Sequence, residues 1–389
     1  MRVDNISQYR KEIDGLRAFA VIVVIVNHFN EKLLPSGYLG VDIFFVISGY
    51  VITSSLLNRK NCNFLDFISS FYARRIQRII PSLVLFVLSI SIFICFFNPD
   101  PTFSLKTGFF SLFGLSNFFL QKNSINYFSQ STDLNVFTHT WSLGVEEQFY
   151  IFFPFIVWFS VFGKKFNKNN NFKNLSTIIT FLIFLSLILF VYFHNIDPST
   201  AFFFMPTRFW EIGLGSLLLI FTRQKGLIFK KAEKIPPILI ISPIVVLMFL
   251  PPNLIVFSTI STVFLTTLLL ICLKEGTLVF EILTKKEIIH IGLISYPLYL
   301  WHWGIISISR WTIGIFWWTI PFQIGLIYLI SFFSHRLIEN PFRRNILSIS
   351  KLKIILRGFA AIFFSSIFIF FLNIPFINLY LGKSKKEIN

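Results

Sequence analysis

His28 stands eleven positions after Arg17 in the apolar stretch that opens this chain. At ~1.5 Å per residue on a helix the two stand about 16 Å apart, roughly half the thickness of a bilayer's hydrocarbon core. Arg17 then lies at one membrane face and His28 near mid-membrane. An imidazole there suits general-base removal of a hydroxyl proton near neutral pH, or formation of an acyl-imidazole. A lone membrane histidine can also serve as a helix-packing hydrogen bonder, so its polar neighbours must decide.

Those neighbours are numerous. The run Gly40 to Tyr50 sets the carboxylate of Asp42 at the outer end of an apolar segment, with the small pair Ser48-Gly49 further in, where a backbone or ligand can come close. Arg74, Arg75 and Arg78 precede Pro81. Positions 75 and 78 share a helix face, forming a fork suited to the phosphates of a nucleotide-bearing donor, although basic residues flanking a span are also topogenic. The run Thr138-His139-Thr140-Trp141-Ser142-Leu143-Gly144-Val145-Glu146-Glu147-Gln148-Phe149-Tyr150 sends a histidine, two carboxylates and a carboxamide into an apolar helix. Adjacent carboxylates point about 100° apart, so one of Glu146 and Glu147 faces a cavity while the other meets a partner such as Arg208. Arg208 and Glu211 make a further intramembrane pair, and Tyr296, Pro297, Trp301 and His302 lie in a later apolar run.

Helices must position these groups, because the chain is too apolar for a soluble core. Of its 389 residues 54% are hydrophobic and 14% charged, and the mean hydropathy is +0.71. Irregular or open-edged backbone is not tolerated against lipid, which makes an all-α integral membrane protein the expected fold. Expected spans are 15–34, 38–57, 80–97, 142–162, 175–194, 206–222, 235–250, 254–272, 289–309, 315–337 and 354–374, with an amphipathic stretch at 64–79. The 53 Phe residues read as lipid-facing substitutes for Leu. Net charge +17 resides in short loops between apolar runs, so it orients the chain in a membrane and does not point to nucleic acid. Cys62, Cys95 and Cys272 have no paired spacing, and neither a disulfide framework nor a metal site is expected.

The stretch 103–120 decides the topology. If it does not cross, one set of loops, with the N-terminus among them, holds 24 Lys and Arg residues, whereas the opposite loops hold only Lys32, Lys106, Lys122 and Arg310. If it crosses, every later basic loop changes side, against the positive-inside bias. Its polar interruptions, including Lys106, Thr107, Gly108, Ser111, Gly114 and Asn117, fit a re-entrant segment near 103–120. The N-terminus is then cytoplasmic. The first apolar run lacks a small-residue cleavage site and reads as a retained helix.

Together Arg17-x10-His28, Phe44-Phe45-Val46-Ile47-Ser48-Gly49, Arg75-x-x-Arg78, Trp141-Ser142-Leu143 with Glu146-Glu147-Gln148-Phe149-Tyr150, and Tyr296-Pro297-Leu298-Tyr299-Leu300-Trp301-His302 resemble the acyltransferase-3 family over about residues 8–345. The resemblance implies about ten transmembrane helices in an acyltransferase core at 8–345, leaving 346–389 as one additional helix with a short tail. It also implies a bacterial inner-membrane enzyme. Such an enzyme moves an acyl group, typically acetyl, from cytoplasmic acyl-CoA to a hydroxyl of an extracytoplasmic glycan such as a surface polysaccharide or lipopolysaccharide.

By this resemblance His28 is the catalytic residue, with Glu146 or Glu147 supporting the base or the acceptor. Arg17 is the helix partner of His28, and Arg75 and Arg78 bind the donor. Asp42, Ser48, Trp141, Arg208, Glu211, Tyr296 and His302 are expected as substrate-binding or structural polar positions. Membrane lipid and the glycan are the expected partners. Many relatives have Pro where this chain has Gly304. Larger members carry an SGNH domain after the eleventh helix, whereas this sequence ends at Asn389. Direct transfer by the core, hand-over to a separate acyl-accepting protein, and a longer chain all remain open. The rival of another class is a transporter or flippase for a lipid-linked glycan, with intramembrane charges used for gating; the sequence shows no internal repeat in its favour. A non-catalytic assembly subunit is the third reading.

Overall fold

In the computed structural model, residues 9–59, 63–123, 130–162, 168–224, 232–344, 350–374 and 379–382 are described. Cys62 and the basic tail at Lys383, Lys385 and Lys386 lie outside them. The described residues form helices α1 (Lys11–Phe29), α2 (Gly40–Leu57), α3 (Phe64–Phe97), α4 (Thr102–Leu112), α5 (Ser116–Lys122), α6 (Gln130–Asp133), α7 (Trp141–Val157), α8 (Lys168–Ile196), α9 (Pro198–Phe203), α10 (Met205–Gln224), α11 (Ile238–Leu247), α12 (Ile255–Cys272), α13 (Leu278–Leu283), α14 (Lys286–Leu293), α15 (Ser295–Trp311), α16 (Ile320–Ser334), α17 (Asn340–Arg344) and α18 (Lys351–Leu372), with no strand among them. The chain is an all-α, multi-pass integral membrane protein.

Eight helical stretches among the described residues are long and apolar enough to cross, and a ninth results if α14 and α15, bent by 68°, count as one span. These account for nine of the eleven expected spans. The segments expected at 15–34 and 235–250 differ. The first is α1, whose opening turns carry Lys11, Glu12, Asp14 and Arg17. The second contains α11, only ten residues long and thus about 15 Å. The amphipathic stretch 64–79 is not separate, because α3 runs unbroken for 34 residues through Pro81. Large apolar side chains such as Phe181, Phe184 and Ile188 on α8 and Phe363, Phe364 and Phe370 on α18 are exposed, as lipid-facing surfaces require.

The described residues divide into two compact units. The first comprises Met1–Phe64, Phe149–Asp197 and Pro206–Ser295. Within it α2 and α10 lie side by side. Asp42 meets Arg208, Gly49 meets Ser216, Leu57 meets Arg223 and Asn58 meets Arg223, at sequence separations of 166, 167, 166 and 165. A nearly constant separation along both helices means that they run parallel. Three full-length helices, α3, α7 and α8, stand between them in the chain. Three crossings deliver α10 to the membrane face from which α2 started, which parallel packing requires; a fourth crossing by the α4–α5 segment would reverse α10.

The second unit comprises Leu65–Gln148, Pro198–Met205 and Tyr296–Asn389. The segment expected to be re-entrant is here a hairpin of α4, 11 residues, and α5, seven residues. At about 16 Å and 10 Å neither crosses a ~30 Å core. The turn passes through Gly114 at φ 65°, left-handed backbone that glycine adopts without a Cβ penalty.

Candidate functional site

Polar side chains gather in each unit, and each cluster is built by a close helix contact. In the first unit the seam between α2 and α10 is sealed by two small residues. A Cβ at Gly49 would fall 1.8 Å from the Ile212 carbonyl oxygen, and one at Gly215 would fall 1.9 Å from that of Val46. With no side chain to separate them the backbones touch, and Ser216 Oγ donates to Gly49 O at 3.2 Å. Seven residues before each glycine, on the same seam, stand Asp42 and Arg208.

Arg208 Nη2 lies 2.7 Å from Asp42 Oδ1, and its Nη1 lies 2.9 Å from Glu211 Oε1. All three side chains are buried. The guanidinium carbon also stands 5.9 Å from the Phe45 ring centroid and 5.6 Å from that of Phe190. One guanidinium held by two carboxylates at membrane depth is costly unless geometry is excellent. The sequence reading makes Arg208 and Glu211 an intramembrane pair, as they are here; the contact of Arg208 with Asp42 is the one it does not signal.

His28 ends α1 as a buried side chain, 5% exposed. Eleven helical steps return to within about 20° of the starting direction, so Arg17 and His28 share one face of α1. Arg17 Nη1 lies 3.3 Å from Asp14 Oδ1, and Tyr9 donates its hydroxyl to Asp14. Burial, with that hydrogen bond, pushes the Tyr9 phenol up to about 12. After α1 the chain turns back on itself, with Asn27 Nδ2 donating to Leu34 O at 2.8 Å. Ser48 lies in α2 and is half-buried.

In the second unit the Glu146-Glu147-Gln148 run splits its duties. Gln148 Nε2 donates to Gly114 O at 2.9 Å and to Asn117 Oδ1 at 2.7 Å, while Asn117 Nδ2 donates to Phe203 O at 3.0 Å. Glu147 packs on the same turn, its Oε2 only 2.4 Å from where a Cβ on Gly114 would stand. Glu147 and Gln148 therefore grip the tip of the α4–α5 hairpin. Glu146 instead acts electrostatically on Tyr299, whose hydroxyl meets Ser142 Oγ at 2.7 Å and donates to His139 O at 3.0 Å.

Around Tyr299 sit His139 and His302, both buried, with ring centroids 5.6 Å apart. His302 Nδ1 lies 3.1 Å from Leu298 O. Phe86 lies edge-on to His139 and Trp301, and Trp303 Nε1 donates to Asn135 O at 2.8 Å. Trp141 is buried against Phe202, centroids 4.5 Å apart. Tyr296 donates to Ile79 O at 3.0 Å, tying α15 to α3 one residue past Arg78. Arg75 and Arg78 are half-buried on α3, with the Arg75 guanidinium carbon 5.6 Å from the Phe71 ring centroid.

The structure thus places His28, Arg17, Asp42, Ser48, Arg208 and Glu211 in the first unit, and Arg75, Arg78, Trp141, Glu146, Glu147, Tyr296 and His302 in the second. The sequence reading uses Asn117 only as a polar interruption of 103–120 and assigns no role to Asn135, Tyr299 or Glu339. The polarity of Asn117 inside an apolar stretch was its signal; Asn135 offered no spacing cue.

The family model described as an acyltransferase domain matches residues 10–336. The O-acetyltransferase OatA of Staphylococcus aureus strain NCTC 8325 is 33% identical over 357 residues, covering 87% of this chain and 58% of that protein. A putative O-acetyltransferase of S. aureus strain MSSA476 is 30% identical over 362 residues, with the same coverage of 87% and 58%. The chain therefore spans a little over half the length of the curated relatives it matches. No solved structure matches it. With its motifs in the expected order on the expected helices and the family model matched over most of its length, the chain belongs to the acyltransferase-3 family.

Proposed function

We propose that this chain transfers an acyl group, acetyl in the first instance, from cytoplasmic acyl-CoA to a hydroxyl of an extracytoplasmic glycan at the bacterial inner membrane. The observation that carries the reading is His28, a buried imidazole on the same helix face as Arg17, in a chain whose relatives are named O-acetyltransferases. The loops bearing 24 of the basic residues, and the N-terminus with them, face the cytoplasm by the positive-inside bias.

In this mechanism Arg75 and Arg78 hold the donor's phosphates. His28 accepts the sugar hydroxyl's proton as its oxygen attacks the thioester carbonyl carbon. The tetrahedral intermediate then expels the thiolate, breaking the C–S bond, and the imidazolium returns the proton to sulfur, so that ester and free coenzyme A result. The Asp42–Arg208–Glu211 cluster holds α2 and α10 together, Glu147 with Gln148 fixes the hairpin, and Glu146 supports the acceptor.

The test is thioester cleavage from labelled acetyl-CoA by purified wild type and His28→Ala in nanodiscs, with a glycan acceptor pool and matched thermal midpoints. Loss of turnover in the variant alone is expected. Equal turnover in both would move the chemistry away from His28.

A further inference from the structure

Glu339 is a buried carboxylate with no part in the mechanism above. It closes a π-helical turn, His335–Glu339, between α16 and α17. Such turns interrupt the regular register and recur at functional positions. Here the turn aligns His335, Glu339 and Arg343 along one face. His335 Nδ1 lies 3.0 Å from Glu339 Oε2, and Arg343 Nη1 lies 3.2 Å from Glu339 Oε1. Arg78, on α3, is close enough to act on the same carboxylate electrostatically. Glu339 itself is 2% exposed, whereas the Arg343 side chain is 45% exposed.

A carboxylate buried at this depth must be compensated, and His335 and Arg343, four residues to either side, each engage one of its oxygens. The geometry also orients them. A carboxylate that engages one edge of a guanidinium fixes its plane and leaves the remaining N–H groups to reach outward. A nucleotide pyrophosphate with an additional phosphomonoester carries more negative charge than the two guanidinium groups of Arg75 and Arg78 neutralise, and Arg343 supplies a third.

We propose that Arg343 is a third donor-phosphate contact and that Glu339 is the positioning residue that holds Arg343 toward it. The proposal rests on the reading of Arg75 and Arg78 as the coenzyme A fork. The test uses the full chain in nanodiscs, with coenzyme A affinity by calorimetry and steady-state kinetics with acetyl-CoA. Hydrogen bonds to charged groups are worth about 1.5–3 kcal/mol, so Arg343→Gln should weaken coenzyme A binding about tenfold to a hundredfold. Glu339→Gln should raise KM for acetyl-CoA by a similar factor while kcat stays within about twofold, and Glu339→Asp should recover part of the loss. Arg343 is half-exposed, so its variant remains informative even if Glu339→Gln fails to fold. If Arg75→Ala/Arg78→Ala loses binding while Arg343→Gln and Glu339→Gln bind as wild type does, the extended site is wrong and the fork stands. If the double variant binds normally, the donor reading fails and this proposal with it.

Discussion

Gly49→Ala is the smallest change that should open the first unit. The added Cβ would stand 1.8 Å from the Ile212 carbonyl oxygen, whereas ordinary contact begins at 3.4 Å. The clash is with backbone, so no rotamer relieves it, and α2 must move away from α10 by about 1.6 Å, the difference of those two distances. Seven residues up the same seam, a rigid displacement of that size stretches the Arg208–Asp42 contact from 2.7 Å to about 4.3 Å, beyond ion-pair range. Overpacking costs ~1–3 kcal/mol, and breaking a buried pair costs up to ~3–5 kcal/mol. The variant should lose at least about 1 kcal/mol and as much as about 5 kcal/mol if the pair parts completely. The assay is the thermal midpoint in detergent, with Gly325→Ala as control, since a Cβ there has nothing within 4 Å. Wild-type stability in Gly49→Ala, or an equal loss in Gly325→Ala, would refute the account of the seam.

Topology is checked by cysteine accessibility in a background lacking Cys62, Cys95 and Cys272: cysteines at Glu31 and Asn123 should label from the same side, and labelling from opposite sides would make α4–α5 a crossing. Arg208→Gln leaves two buried carboxylates without their shared cation and should destabilise by ~3–5 kcal/mol, read as a fall in thermal midpoint. Gly114→Ala strains left-handed backbone and drives a methyl into Glu147; turnover and midpoint should both fall, whereas Gly276→Ala, also at positive φ but with open space around it, should lose less. Burial raises the Asp133 carboxyl above its ordinary 3.8, with Arg310 pulling it the other way. A carboxyl raised on folding favours the folded state at pH below the ordinary value and loses that contribution as pH rises through the shifted one. The stability of wild type relative to Asp133→Asn should therefore decline as pH rises from about 4, and a rise would reverse the sign.

Much of this was legible because intramembrane polarity is conspicuous. His28, Asp42, Arg208 and Glu211 stand out from apolar runs, and the basic loops indicated that 103–120 does not cross. Two partnerships were not legible. Arg208 is read from the sequence as pairing with Glu211, which it does, but the contact with Asp42 is not legible, because adjacency in sequence says nothing of which helix runs alongside α10; that partner comes from a seam set by Gly49 and Gly215, whose small size only signals that something comes close. The split between Glu146 and Glu147 was expected from their 100° divergence, but the identity of the group facing Glu147, a turn through Gly114, depended on hairpin geometry that composition does not encode. Glu339 is not singled out by the sequence because its contacts with His335 and Arg343 depend on a π turn, and a single inserted step in helical register leaves no periodic trace in a five-residue stretch.

The grip on the hairpin has a consequence for how such a sequence can drift. Gly114, Asn117, Gly144, Glu147 and Gln148 meet within one small volume: a Cβ at Gly144 would stand 2.7 Å from Asn117 Oδ1, and Gln148 bonds both Asn117 and the Gly114 carbonyl. No member can enlarge or lose its polar atoms without disturbing another. In a lineage of related chains these five positions should be inherited as a block, with replacements arriving in compensating pairs, while the lipid-facing phenylalanines of α8 and α18 exchange one at a time.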